Sequence, residues 1–290
     1  IASCLVGSEM CIRDRRQSDG VPGQRHASLP NRQQARVPRF IVAHVQEEPL
    51  MSIRVGVAGW SIPSALAGRF PSEGTHLERY GACLSAVEIN SSFYRPHRRA
   101  TYERWAASVP PGFRFSVKLP KAITHERRLE DCTALVERFA EETGGLGDKR
   151  GPILVQLPPS FAYPGERADR FLDELQTAIT EPIVLEPRHA SWFQPDIDRM
   201  LERRRVSRVA ADPAKPPAAA QPGGWSGLAY FRLHGSPRMY ESTYGQDAIE
   251  AQAERVASLV QRGIDVWTVY DNTTYGAATQ NAFELMEALR

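Results

Sequence analysis

Val87-Glu-Ile-Asn-Ser-Ser-Phe-Tyr94 decides how this chain is read, because an apolar alternation within it carries polar side chains of one parity. Successive side chains of a strand point to opposite faces, so Val87 and Ile89 share one side and Glu88 and Asn90 the other. The pattern recurs along the chain. Phe115–Leu119 carries Lys118, Ile153–Leu157 carries Gln156, and Ile183–Arg188 carries Glu186 and Arg188. Val209–Asp212 ends in Asp212, and Leu228–His234 brings Tyr230, Arg232 and His234 onto one parity. If such strands close into a barrel, their polar ends converge on one site.

From Met51 onward, short β-rich runs alternate with helical stretches. Strands are predicted at Ile53–Ala58, Ala86–Asn90, Phe113–Leu119, Ile153–Leu157, Ile183–Glu186, Val206–Asp212, Leu228–His234 and Asp265–Asp271. Helices are predicted near Thr75–Cys83, Thr101–Ser108, Cys132–Glu142, Glu166–Ala178, Asp196–Arg204, Asp247–Gln261 and Ala277–Leu289. After the sixth strand, the Pro/Ala/Gly stretch Pro213–Gly224 stands where a helix would be expected. Eight β units mostly separated by helices predict an α/β fold, a single parallel (β/α)8 TIM-like barrel. A doubly wound sheet would advertise a Gly-rich first turn for a nucleotide. The first turn here is Ala58-Gly-Trp-Ser61, neither G-x-G-x-x-G nor a P-loop.

The bulk numbers agree with one barrel plus an extension. The 290 residues hold 36 basic and 34 acidic groups; residues 1–50 hold seven and five of these, which leaves a neutral body. A neutral body argues against nucleic acid and anionic membranes as partners. No apolar run is long enough to span a bilayer. Cys4, Cys11, Cys83 and Cys132 show no paired metal-ligand spacing, which points to reduced thiols and a cytoplasmic location. Residues 1–50 lack periodicity and are expected to be disordered. Their opening, Cys4 to Arg15, resembles a translated adapter fragment. The leader is therefore expected to be non-native, with Met51 as the true start and 51–290 as the barrel domain.

Several motifs together resemble one family. Gly59-Trp60-Ser61, Val87–Tyr94, Gln156-Leu-Pro-Pro159, Glu186-Pro-Arg-His-Ala-Ser-Trp192, Arg232-Leu-His-Gly235, Asp271-Asn272 and Asn281-Ala282 look like the YecE-like family, also called domain of unknown function 72. The resemblance covers about Ile53 to Leu289. It implies a TIM-barrel fold and carries no assigned activity. Ile62 stands where the commoner pattern has an aromatic, and Leu66 stands near an expected Trp.

In a barrel of this kind, catalytic side chains come from the carboxyl ends of strands and the loops after them. Parity places Glu88, Asn90, Lys118, Gln156, Glu186, Arg188, Asp212, Arg232 and His234 there. Three acids against three bases admit two readings, a ligand site or a buried ion-pair lattice closing the barrel top. The number of polar groups favours a site, since barrel interiors are mostly Val, Ile and Leu. Trp60, Tyr94, Trp192, Tyr240 and Tyr244 fall in loops where they could wall a pocket. His189 is on the wrong parity, and His97 and His125 read as surface or packing groups. Asn272-Thr-Thr-Tyr-Gly-Ala-Ala278 leads into the last helix and offers either an anion site at the helix start or an ordinary N-cap by Thr273 or Thr274.

The reading that follows is an enzyme acting on a small polar, anionic molecule by general acid-base chemistry. Glu186 or Glu88 would exchange protons with His234 as partner, and Lys118 with Arg232 would steady negative charge. Asn90, Tyr94, Gln156, Arg188, Trp192, Asp212 and Asn272 would bind the substrate. No redox cofactor is predicted, and nothing selects a Schiff base at Lys118. One alternative is a non-catalytic module binding an anionic metabolite or a nucleic-acid end, for which Arg95, Arg98 and Arg99 follow Phe93-Tyr94. Another is a hydrolase or isomerase dependent on a divalent metal held by Glu88, Glu186, Asp212 and His234, although three cations would crowd that ion. The sequence leaves the oligomeric state open.

Overall fold

Each run read as a strand builds one in the structure, a computed structural model that describes residues 53–290. The leader, Cys4, Cys11 and Met51 lie outside the described residues. The strands are β1 (Ile53–Ala58), β2 (Ala86–Ile89), β3 (Arg114–Lys118), β4 (Arg150–Gln156), β5 (Ile183–Glu186), β6 (Val206–Arg208), β7 (Ala210–Asp212), β8 (Gly223–Gly224), β9 (Leu228–Leu233) and β10 (Asp265–Tyr270). They form one sheet in the order β7-β9-β10-β1-β2-β3-β4-β5-β6-β8, parallel except for β8, which runs antiparallel to β6. Since β6 and β7 are successive in the chain, the sheet curls into a near-closed barrel.

The expected eightfold count becomes ten strand segments at this seam. The sixth run, read as one strand from Val206 to Asp212, changes partner midway. Val206 to Arg208 pair with β5, and the N–H of Val209 still donates to the carbonyl of Leu185 at 2.9 Å. From Ala210 to Asp212 the chain pairs with Phe231 to Leu233 of β9 instead. Gly223-Gly224 adds a short return strand. No helix follows β7. The proline-rich stretch forms only a 3-10 turn at Pro217–Ala220, since proline supplies no N–H for a helical ladder.

Helices α1 (His76–Gly81), α2 (Ser91–Tyr94), α3 (Arg99–Ala107), α4 (Thr133–Thr143), α5 (Glu166–Ala178), α6 (Pro195–Arg203), α7 (Gln246–Gln261) and α8 (Ala277–Ala288) follow strands. α5 shows why: Ala168, Phe171, Leu172 and Leu175 recur at helical spacing and are all buried. α1 opens with a capping box between Thr75 and Glu78, and its Tyr80 is fully buried. The Tyr80 hydroxyl accepts from the N–H of Val57 at 3.0 Å and donates to the carbonyl of Ala86 at 2.9 Å, which ties β1 to β2. α8 is capped not by a threonine but by Gly276, whose φ of 79° suits a residue without a side chain. No helix among the described residues is long and apolar enough to cross a membrane.

Alternating parity divides the buried side chains into two cores. Val55, Val57, Val87, Ile89, Phe115, Val117, Ile153 and Val155 belong to the core shared with the helices. Ala86, Leu154, Val184, Val209, Leu228, Tyr230, Trp267 and Val269 form a second cluster. These residues share the parity of Glu88, Lys118, Gln156, Glu186, Arg232 and His234. The apolar plug therefore fills the lower barrel, and the charged set lies toward the carboxyl ends of the strands.

Close approach of β1 to β2 leaves no room for a side chain at Gly56. A Cβ there would lie 2.3 Å from the backbone oxygen of Ala86. Gly56→Ala is expected to lower stability by about 1–3 kcal/mol, as overpacking of a tight core does. Urea denaturation monitored by circular dichroism would measure the loss.

Candidate active site at the barrel mouth

The charged set is organised around Arg232, which is 0 % exposed. Its Nε donates to Glu88 Oε2 at 2.9 Å and its Nη2 to Glu88 Oε1 at 2.7 Å, a bidentate fork. Nη1 donates to Glu186 Oε2 at 2.6 Å, and Nη2 also reaches Asp271 Oδ2 at 2.9 Å. One guanidinium thus meets carboxylates from the ends of β2, β5 and β10. Burial opposes its charge, but Glu88, Glu186 and Asp271 outweigh that and hold its pKa well above the ordinary value. Tyr230 closes the underside, its hydroxyl 3.0 Å from Glu88 Oε2 and 2.9 Å from Ser116 Oγ.

Glu186 is saturated. Gln156 Nε2 lies 3.1 and 3.2 Å from its two oxygens, and Arg188 donates to Oε1 through Nε at 3.0 Å and Nη2 at 2.9 Å. Burial would raise its pKa, yet Arg232, Arg188 and His234 carry it well below the usual carboxylate range. Asp271 is also lowered, since Arg232 and His234 overcome its burial. His234 bridges the two acids, with Nδ1 3.0 Å from Asp271 Oδ2 and Nε2 3.2 Å from Glu186 Oε1. Burial lowers its pKa, but Glu186 and the Asp271 hydrogen bond more than compensate and the net shift is upward. Both ring nitrogens are thereby engaged.

Lys118 differs from its neighbours. It is 7 % exposed, and its Nζ meets no hydrogen-bond acceptor among the described residues; it lies 4.3 Å from the centre of the Phe93 ring. The carboxylates of this layer turn toward the guanidinia and His234. Burial, then Arg232, push the Lys118 pKa down to about 8, against the pull of Glu88, Asp271 and Glu186. Its backbone is fixed by Ser92, whose Oγ sits 2.6 Å from the Lys118 carbonyl and 3.0 Å from that of Ile89. Half-buried His125 stands edge-on to the same Phe93 ring at 4.9 Å. Burial, Lys118 and Arg188 lower its pKa to about 4, which keeps the ring neutral at physiological pH. On the far side, Glu186, Arg188 and His234 line a cavity of about 330 Å³ with Pro187, Pro213, Lys215 and Met239. Tyr240 packs edge-on to His234 at 5.7 Å.

The structure brings together Glu88, Lys118, Gln156, Glu186, Arg188, Arg232 and His234. It does not bring in the others. The Asp212 carboxylate accepts from the Tyr244 hydroxyl at 2.7 Å and takes no part in the lattice. Trp192 is buried behind the site, its Nε1 donating to the Phe161 carbonyl at 2.9 Å. Tyr94 is 72 % exposed and touches the edge of Phe93. Asn272 donates to Ser242 O at 3.0 Å and Asn281 Oδ1 at 2.9 Å, so it pins the loop that carries Tyr240 rather than facing the mouth. Asn90 begins the turn into α2, its Oδ1 buried without a hydrogen-bond partner. Sequence reasoning missed Asp271, although the parity that sends Trp267 and Val269 inward continues to it. It also passed over Phe93 and set His125 aside as packing. Among the described residues, no group of three or more His, Cys, Asp or Glu has the arrangement of a metal site; the three acids surround a guanidinium instead.

A near-closed barrel of parallel strands with its charged side chains gathered at their carboxyl ends defines a TIM-barrel-like protein. The chain belongs to the family described as Protein of unknown function DUF72, whose model matches residues 54–290. It is 30 % identical over 177 residues to the UPF0759 protein YecE of Escherichia coli K12, covering 59 % of this chain and 62 % of that relative's length. It is 23 % identical over 268 residues to the UPF0759 protein YunF of Bacillus subtilis, covering 82 % of this chain and 94 % of the relative. Crystal structures of DUF72 family proteins share the fold. One from Enterococcus faecalis has a TM-score of 0.71 at 23 % identity, over 82 % of this chain and 95 % of that one. One from Thermotoga maritima has a TM-score of 0.67 at 22 % identity, over 82 % and 98 %.

Removing Arg232 would leave three carboxylates buried without their shared cation. Arg232→Met is expected to cost about 3–5 kcal/mol. Glu186 and Asp271 have lowered pKa values, so their contribution is present above their unfolded values and lost as pH falls through their folded ones. Acid unfolding of the native protein should therefore begin below the usual carboxylate range, and its midpoint should rise in the variant. A pH series of denaturation curves tests both.

Proposed function

We propose that the protein is an enzyme that takes a small anion at the barrel mouth and moves protons on it. Its proton carrier is Lys118 rather than Glu186, Glu88 or His234. The observation that carries this reading is the buried Lys118 amine with no acceptor in reach, beside a carboxylate layer whose oxygens are engaged elsewhere. Glu186 and His234 have no free lone pair or N–H to offer a substrate, which suits them to hold Arg188 and Arg232 in place. Arg188 is the guanidinium nearest solvent, with 22 % of its side chain exposed, and is suited to grip a carboxylate or phosphate.

Charge balance supports an anion. Glu88, Glu186 and Asp271 oppose Arg188, Arg232 and Lys118 when protonated, so protonation of His234, which its carboxylate partners favour, leaves one positive charge in excess. Burying that excess is costly until a negative ligand arrives. The anion would restore the Lys118 pKa upward, so binding near pH 8.5 should take up protons. The apolar walls at Pro187, Pro213 and Met239 suit a small body attached to the anionic group.

Calorimetry with inorganic phosphate and with acetate, in two buffers of different ionisation enthalpy, measures that uptake. It should reach a sizeable fraction of a proton in the native protein and vanish in Lys118→Met. Unchanged affinity in both Lys118→Met and Arg188→Met would sink the assignment. Turnover, found by product analysis across small phosphate and carboxylate compounds, should fall by about 10²–10⁴ in Lys118→Met.

The same depressed pKa makes a stability prediction. Between about pH 8 and the ordinary lysine value, the unfolded chain binds more protons than the folded one, so stability rises with pH across that window. Lys118→Met is thus expected to stabilise the fold at pH 7 by up to about 3 kcal/mol, with the gain fading above pH 10. Thermal melts at pH 7 and pH 10 check the sign.

A further inference from the structure

Four lysines occur in the sequence, and their settings differ. Lys121 pairs with Glu126 at 3.2 Å, and Lys149 donates to the carbonyls of Ala106 and Val109, each at 2.6 Å. Lys215 is exposed on the loop that walls the cavity. Lys118 combines a place at the carboxyl end of a barrel strand, burial, and an amine without an acceptor. His125, edge-on to the same Phe93 ring, is a neutral imidazole whose pKa is lowered by burial and then by both Lys118 and Arg188. A group held only for its charge would be expected to share one of the three nearby carboxylates.

We propose that Lys118 is a nucleophile that forms an imine with the carbonyl carbon of a small aldehyde or ketone whose carboxylate or phosphate rests on Arg188. The inference builds on the reading of the mouth as an anion site and adds a covalent step to it. The unprotonated Nζ attacks the carbonyl carbon; a C–N bond forms while the π electrons move onto oxygen. The nitrogen's proton passes to that oxygen, with His125 suited to relay it from the rim of the Phe93 ring. The proton that the ammonium released to become the free amine returns to this hydroxyl, which leaves as water as the nitrogen lone pair completes the C=N bond. Carbonyl compound plus lysine ammonium gives iminium plus water, with no oxidant or reductant consumed.

Electrostatics favours the attack. With its pKa near 8, roughly a tenth of Lys118 is free amine at pH 7, against well under a hundredth of an ordinary lysine. The iminium's own positive charge makes it an electron sink, which suits carbon–carbon or carbon–hydrogen bond cleavage next to the former carbonyl. The substrate class is therefore a 2-oxo acid or a phosphorylated ketone or aldehyde.

Incubating the full-length protein with pyruvate, and separately with dihydroxyacetone phosphate, in the presence of sodium cyanoborohydride tests the step by peptide mass spectrometry. The expected result is one reduced adduct on Lys118, about tenfold above any on Lys121 or Lys215. It should be absent in Lys118→Arg and suppressed by excess inorganic phosphate. Whichever compound labels identifies the anionic group. The map of the native protein decides the matter even if the variant does not fold. Labelling spread evenly over Lys121 and Lys215, or no adduct while calorimetry still reports phosphate binding, would overturn the imine and leave the anion site standing. No adduct together with no binding would remove both.

Discussion

Everything at the mouth of this barrel depends on one guanidinium that has no access to water. Arg232 sits on β9 and satisfies carboxylates delivered by β2, β5 and β10, strands that are not neighbours in a single hairpin or βαβ unit. Burying any of these four ions alone would cost several kcal/mol, so they are tolerated only as a group. The barrel must close before the group exists, and the group in turn fixes where the strand ends lie. Arg188 and His234 extend it by gripping Glu186 and Asp271, while the neighbouring buried cation Lys118 stays outside the pairing.

That arrangement leaves room for two readings which look exclusive in the sequence, the ion-pair lattice and the ligand site. The lower tier, Glu88, Arg232, Glu186, Asp271 and His234, is a lattice. Lys118, Arg188, His125 and Phe93 border it, and they are where the proposed ligand site lies. The apolar plug of Leu154, Val184, Tyr230, Trp267 and Val269 lies under both, and isolates the charges from the far end of the barrel.

Strand parity made much of this legible. Glu88, Lys118, Gln156, Glu186, Arg232 and His234 could be assigned to one surface because a period of two leaves a strand residue only two directions. Most failures come where that rule ends. Asp212 pairs in register with Leu233, while Ala211 pairs with Arg232, so its own parity turns it to the outer face, where its carboxylate meets the Tyr244 hydroxyl. Trp192 and Asn272 lie in turns, where direction follows from hydrogen bonds made to distant loops, and Tyr94 ends α2, where the strand period no longer applies. Asp271 stands one step past β10, and the same parity would have included it. The unpaired state of Lys118 could not be read at all, because it depends on which cations claim the carboxylates, and that is settled only by the distances in the folded molecule.

The stretch after β7 has a bearing on how this protein could diversify. Elsewhere around the barrel, most loops at the mouth are anchored at both ends by a strand and a helix packed on it, so lengthening one disturbs the other. Between Asp212 and Gly223 there is only a proline-rich turn, and it supplies Pro213, Lys215 and Ala219 to the cavity wall. Residues could be added or exchanged there without shifting a helix or breaking the Arg232 lattice. Such a wall can vary in size while the charged floor stays intact, and a library aimed at the proposed site should begin there.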